Sequence, residues 1–255
     1  MSRRMKLVIA YLGGSFHGWQ RQRGQRTVQG EVERALGGLT GGQKIPVAGA
    51  GRTDAGVHAA GQVAHCDVPG GFTAEALQRA LDHSLPSEIR VRSVRPVDEH
   101  FHARTSALGK CYTYRARWRR SGLPWLDLRS APVAEDLDLD MLERSLELLP
   151  GTHDWASFSV PDLDVPTTYR RIYHVALRPH RRGFDVDFVG SGFLRYQVRR
   201  MMGAVTEVAS GQRELEDLLA LIETPRPGAR IRTAAASGLC LEHVYYRRTP
   251  ILSPA

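Results

Sequence analysis

Asp54 stands in the stretch "GAGRTDAGVHAAGQ", residues 49–62, two residues after Arg52 and four before His58, among glycines at 49, 51, 56 and 61. A carboxylate in such a place can act as a nucleophile or a general base, or it can be a turn residue that hydrogen-bonds its own backbone. Glycines permit a sharp reversal and let another backbone come close. On residue types alone Asp54 stays open between turn residue and catalyst.

Other chemistries are tested by spacing. A dinucleotide fingerprint starting at Gly49 and Gly51 needs glycine where Asp54 stands, and no Gly-Lys-Ser/Thr exists for a phosphate loop. No G-x-S-x-G elbow supports serine chemistry. Asp136, Asp138, Asp140 and Glu147 match four positions of a calcium loop, but Met141 occupies the glycine position. The run from Met141 through Leu142, Ser145, Leu146 and Leu149 reads instead as a helix face with acidic capping. His100 and His102 form a lone H-x-H pair, too little for a metal site, and Cys66, Cys111 and Cys240 lack C-x-x-C spacing. Neither zinc nor a disulfide framework is expected, and no metal or cofactor is implied.

The elements that must position Asp54 follow from periodicity. Within 255 residues, "MKLVIAYLGG", "GQVAHCDVPGG" and "IRVRSVRPV" read as strands. "TVQGEVERALGGL" reads as a helix capped by Thr27 and stopped at Gly37-Gly38, and "TAEALQRALDHSLP" as a helix with Leu77, Leu81 and Leu85 in register. The second half repeats the pattern, with strands at "KCYTYRARW", "GFDVDFVG" and "GLCLEHVYY" and helices at "DMLERSLELL", "VRRMMGAVTEVASG" and "ELEDLLALIE". "RRSGLPWLDLRSAP" reads as a long excursion and "VPDLDVPTTYRR" as a proline-broken loop. Strands alternate with helices, and the expectation is an α/β chain of two similar-sized halves joined near residues 106–110.

The formal net charge is +8, and only Lys6, Lys44 and Lys110 among the basic residues are lysines. Arginine forks onto phosphates and stacks on bases, so a polyanionic partner fits the excess charge. The N-terminal apolar run is short and holds Lys6, so neither an export signal nor a membrane span is expected, and the protein is expected to be cytoplasmic. A non-catalytic RNA-binding protein and an enzyme for a phosphorylated metabolite both remain open at this point.

"GRTDAGVHAAGQVAH" closely resembles the signature segment of the TruA family of tRNA pseudouridine synthases. Further family-like segments occur in order: "FHGWQRQ" and "TVQGEVERAL" before it, then "LPSEIRVRSV", "FHARTSALGKCYTY", "GTHDWASF", "GFLRYQVRRMMG" and "GLCLEHVYY". The resemblance covers nearly the whole chain. Departures are Leu12 for a usual acidic residue, Gln197 for a usual methionine, and "TAAASGL" without the proline often found before Ser-Gly-Leu.

The resemblance implies a pseudouridine synthase fold, α/β (α+β), of two similar-sized domains, 1–105 and 106–255, each a mainly antiparallel or mixed sheet with helices on one face, with an active-site cleft between them. It implies that Asp54 is the nucleophile on a flipped-out uridine, that Tyr112 contacts the base and that Arg199 pairs with the Asp. Arg52 is placed by sequence to fill the vacated stack or hold the RNA backbone, whereas His58 reads as structural. The substrate implied is the anticodon stem-loop (anticodon arm) of tRNA, with a homodimer, no cofactor and no membrane association. Arginines 21, 23 and 26, and 115, 117, 119 and 120, are candidate phosphate contacts.

Overall fold

The computed structural model describes residues 2–119, 125, 128–161 and 165–252. The chain divides into two compact units, 1–107 with 241–246 and 108–240 with 247–255, so the second division falls inside the last strand. By sequence the junction is expected at 105/106.

In the first unit β1 (Ser2–Tyr11) pairs antiparallel with β3 (His58–Pro69) on one side and β4 (Ile89–Pro96) on the other. The two-residue β2 (Ala48–Gly49) adds to β3, and residues 241–245 of β10 (Leu239–Tyr245) lie beyond it. In β1, Met5, Leu7, Ile9 and Tyr11 all lie on the buried face, although Val8 and Ala10 between them are apolar too. Helix α2 (Ala74–Ser84) packs on β4, and α1 (Val28–Leu39) packs against α2.

Thr27 and Thr73 cap these helices, accepting the Gly30 and Ala76 backbone N–H groups at 3.3 and 3.1 Å. Gly37-Gly38 does not stop α1, contrary to the sequence reading. The helix runs through them to Leu39 and ends where Gly41 turns left-handed at φ +67°, with the Gly42 N–H donating to Gly37 O at 2.8 Å. Glycine tolerates the helix interior at modest cost, and what ends a helix is a left-handed residue just past its last turn.

In the second unit the order is β5 (Gly109–Trp118), β9 (Gly183–Gly190), β8 (Tyr169–His180) and β7 (Gly151–Asp154), each antiparallel to the next. The short β6 (Ala131–Val133) joins β5 in parallel, which makes the sheet mixed. Tyr112, Tyr114 and Ala116 from β5 and Phe184, Val186 and Phe188 from β9 are buried together on one face. Helices α3 (Leu139–Glu147) and α5 (Leu215–Glu223) pack on α4 (Gln197–Ala209), the most buried helix of this unit. Helix α4 closes with the Gly211 N–H on Val208 O and the Gln212 N–H on Glu207 O, so Gly211 ends it as its sequence predicts.

β2, β6, β7 and β8 are missing from the sequence reading. β8 starts within the last residues of "VPDLDVPTTYRR", of which 162–164 lie outside the described residues. In "RRSGLPWLDLRSAP" residues 120–124, 126 and 127 also lie outside them, and its last two residues open β6. The calcium-like acids resolve as helix chemistry, because Asp138 accepts the Met141 N–H at 2.9 Å as the cap of α3. No disulfide joins the cysteines, and no described helix is long and apolar enough to cross a membrane.

Candidate active site

Asp54 occupies a tight turn between β2 and β3. Its carbonyl accepts the Val57 N–H at 3.1 Å, and Gly56 takes the left-handed conformation at φ +81° that closes the reversal. Thr53 is buried, Asp54 half-buried and Arg52 exposed, so the chain surfaces at the acid.

A second segment, residues 11–19, clamps this turn. Thr53 O accepts the Trp19 N–H at 3.1 Å, and the Gly56 N–H donates to Phe16 O at 3.3 Å. The two backbones lie so close that a Cβ at Gly18 would sit 2.5 Å from Thr53 O, and one at Gly13 would collide with the Val57 carbonyl. Here Gly13 and Gly18 of "GGSFHGW" serve close approach of the two backbones. His58 fits the structural role expected of it, its Nδ1 accepting the Gly13 N–H at 3.0 Å.

Beneath the turn lies a polar chain that sequence reasoning missed. Tyr11 Oη and Thr53 Oγ1 share a hydrogen bond of 2.8 Å. Gln62, fully buried on β3, donates from Nε2 to Gly51 O at 2.9 Å and approaches Tyr11 Oη at 3.4 Å. The signal for Tyr11 was present: a tyrosine ending an apolar strand face buries a hydroxyl that must find a partner.

In the second unit Tyr112 is buried on β5, and Phe193 meets its ring edge-on at 5.3 Å. Tyr114, two residues on and on the same strand face, donates its hydroxyl to Ala235 O at 3.1 Å. Burial holds this phenol protonated, shifting it well above the usual tyrosine range. Arg199, in the first turn of α4, donates from Nε to the adjacent carbonyl, Ala234 O, at 2.8 Å. Its guanidinium carbon is 5.2 Å from the Tyr196 ring centroid, within cation–π range. Tyr196 starts α4 in a left-handed conformation at φ +63°, the only non-glycine with positive φ among the described residues. Thus Tyr114 and Arg199 meet through the 234–235 backbone of the second unit, with Tyr112 two residues along the strand from Tyr114, while Arg52 and Asp54 lie in the connection between β2 and β3 of the first.

The twin arginines of "VRRMM" divide their work. Arg200 is buried, and burial lowers its basicity; its Nη1 donates to Ser159 O at 2.9 Å and its Nη2 to Ala229 O. It is a structural clamp. Gln197, the departure from methionine, is fully buried and accepts the Leu194 N–H at 2.9 Å, bonding the loop that leads into α4.

Of the arginines expected on RNA, several are engaged within their own unit. Arg26 pairs with Glu31 and Glu88 at 3.0 and 3.2 Å, Arg21 with Glu33 at 3.4 Å, and Arg117 with Asp185 at 2.7 Å. Arg23 and Arg119 are exposed, and Arg120 lies outside the described residues. The H-x-H pair also separates, because His102 Nδ1 accepts the Arg104 and Thr105 N–H groups at 3.2 and 3.3 Å whereas His100 is exposed.

The model of the tRNA pseudouridine synthase family matches this chain twice, over residues 7–106 and 146–247. A tRNA pseudouridine synthase A of Lactobacillus helveticus is 40% identical over 249 residues, covering 96% of this chain and 95% of its own. Those of Geobacillus kaustophilus and Acetivibrio thermocellus are 40% and 37% identical, covering 96% of this chain and 95% and 100% of theirs. A solved structure described as a Cbf5-Nop10-Gar1 complex aligns over 92% of this chain and 57% of its own at 9% identity, with a TM-score of 0.35, too loose a likeness to bear on this chain. The double match and the end-to-end identity place the chain in the tRNA pseudouridine synthase family.

Proposed function

We propose that this protein isomerises uridine to pseudouridine in tRNA, with Asp54 as the nucleophile. The observation that carries the reading is the turn itself. In a chain alike from end to end to proteins named tRNA pseudouridine synthase A, two glycine-lined backbone segments lock around a single half-buried aspartate.

The reaction breaks the N1–C1′ bond, forms C5–C1′, returns a proton to N1 and releases the proton of C5. Electrons balance without an oxidant or reductant, so the chemistry calls for an anionic oxygen and a base rather than a redox group. An aspartate supplies the anion at neutral pH. A uridine within a stem must leave it to reach such a group, and base–aromatic stacking, worth about 1–3 kcal/mol, offsets part of that cost. We assign base contact to Tyr112, pairing with the nucleophile to Arg199, and occupation of the vacated space or hold on the RNA backbone to Arg52.

The anticodon arm as substrate, a homodimer and a cytoplasmic setting belong to the same reading, on the resemblance of the ordered motifs. Tritium release from tRNA transcripts carrying C5-tritiated uridine tests the activity. Asp54→Asn is expected to abolish release while tRNA binding persists, and wild-type release by that variant refutes the assignment. Mapping pseudouridine in tRNA from cells lacking the protein tests the arm, and light scattering the dimer.

A further inference from the structure

We propose that the irregular segment 229–235, laid along α4, is the device that aims Arg199, and that Gly203 and Glu207 are positioning residues for the reaction. The inference rests on the role assigned to Arg199 above.

Arg199, Gly203 and Glu207 recur every four residues and so lie along one face of α4. The segment is fastened over each of them in turn. At Glu207, Oε1 accepts the Arg232 N–H at 3.1 Å. The other oxygen, Oε2, accepts from Arg213 Nε and Nη2 at 2.9 and 2.8 Å, and Arg213 also donates to Arg230 O at 3.0 Å. At Gly203 the Arg232 carbonyl lies so close that any Cβ would collide with it. At Arg199 the fastening is double: Nε donates to Ala234 O at 2.8 Å, and the Ala234 N–H donates to Arg199 O at 3.0 Å.

A long arginine side chain loses much rotamer freedom when held in one orientation, and something must hold it. Committing Nε to Ala234 O sets the plane of the guanidinium, so the edge bearing the two Nη groups becomes the one to meet a carboxylate. Ala234 can do this only if the segment touches the helix backbone, which requires glycine at 203. Glycine in a helix interior is otherwise unfavourable relative to alanine, and this contact accounts for it.

The test uses the full chain and tRNA transcripts in the tritium assay, comparing Gly203→Ala, Glu207→Ala, Glu207→Gln, Arg199→Ala and the double variant Gly203→Ala/Arg199→Ala. Misplacing a catalytic partner by about an ångström costs on the order of 100-fold. Gly203→Ala and Glu207→Ala are therefore expected to lower kcat by about 10–100-fold with KM for tRNA within about two-fold. Glu207→Gln keeps an acceptor for the Arg232 N–H and recovers part of the loss. The double variant is expected to be no slower than Arg199→Ala alone.

Wild-type kcat in both Gly203→Ala and Glu207→Ala, or a full further loss from Gly203→Ala on top of Arg199→Ala, overturns the inference. Should Gly203→Ala fail to fold, the Glu207 pair decides it by the same kcat and KM criteria. Wild-type kcat in Arg199→Ala would refute the assignment of Arg199 itself. The two failures are distinct, since in the first Arg199→Ala is slow and the segment variants are not.

Discussion

The phenolic oxygen of Tyr11 and the hydroxyl oxygen of Thr53 lie 2.8 Å apart with both side chains buried, one residue before Asp54. The end of β1 is thereby tied to the turn that carries the acid. Gln62, from β3, closes the chain at Gly51 O, so the two neighbouring strands hold the turn from below.

Tyr11→Phe keeps the ring and removes the bond to Thr53. Leaving a buried hydroxyl without its partner costs about 1–3 kcal/mol. For a chain of this size that lowers the melting temperature by roughly 2–10 °C. The loss should appear in kcat more than in KM, because the turn is loosened while exposed side chains are untouched. Calorimetry with steady-state assays checks both, and an unchanged melting temperature contradicts the account.

Gly18→Ala should be worse. The residue sits at φ +84°, where an L side chain costs about 1–2 kcal/mol, and the new methyl would stand 2.5 Å from Thr53 O. Gly14, four residues earlier, has open space around its missing Cβ, so Gly14→Ala is the control and should be close to neutral. Equal effects of the two substitutions would show that the close approach has no energetic consequence.

Arg200→Lys preserves the charge but not the fork that reaches the Ser159 and Ala229 carbonyls together. One buried carbonyl then loses its donor, and destabilisation of about 1–3 kcal/mol is expected. Substrate KM should stay near that of the native protein if the residue is purely structural; a selective loss of tRNA affinity would reassign it to binding.

Acid should weaken the first unit through His65. Burial, then the neighbouring His102 and Arg4, lowers its pKa from the usual 6.5, and its Nδ1 accepts the Ala103 N–H at 3.1 Å, a bond the protonated ring cannot make. The unfolded chain therefore binds this proton more readily than the folded one. The contribution is fully present above about pH 6.5 and is lost as pH falls through that value toward the depressed folded pKa. Thermal melts from pH 7.5 to 5 should show the decline, and His65→Gln should flatten it. A wild-type curve level across that range would remove His65 as its source.

Much of this was legible in the order of residues. The strand at "MKLVIAYLGG", the cap at Thr27, the capping aspartate of α3 and the apolar face of α4 are local patterns that the structure reproduces. They are legible because strand and helix periods depend only on neighbours along the chain. The ordered motifs carried the family, and with it Asp54, Tyr112 and Arg199 as candidates. The end of α1 was misread because glycine in a helix and glycine ending one look alike until backbone angles are known.

Which glycine meets which backbone, which of two adjacent arginines is buried, and where Tyr11, Thr53 and Gln62 converge were decided by the tertiary structure alone. Each depends on segments tens of residues apart, and single glycines and arginines carry no mark of the partner that gives them their role. The sequence by itself determined most of the elements and, through the ordered motifs, the family and Asp54 as a candidate; folding determined what surrounds that acid, because close approach and buried polar pairing are properties of packing rather than of order along the chain.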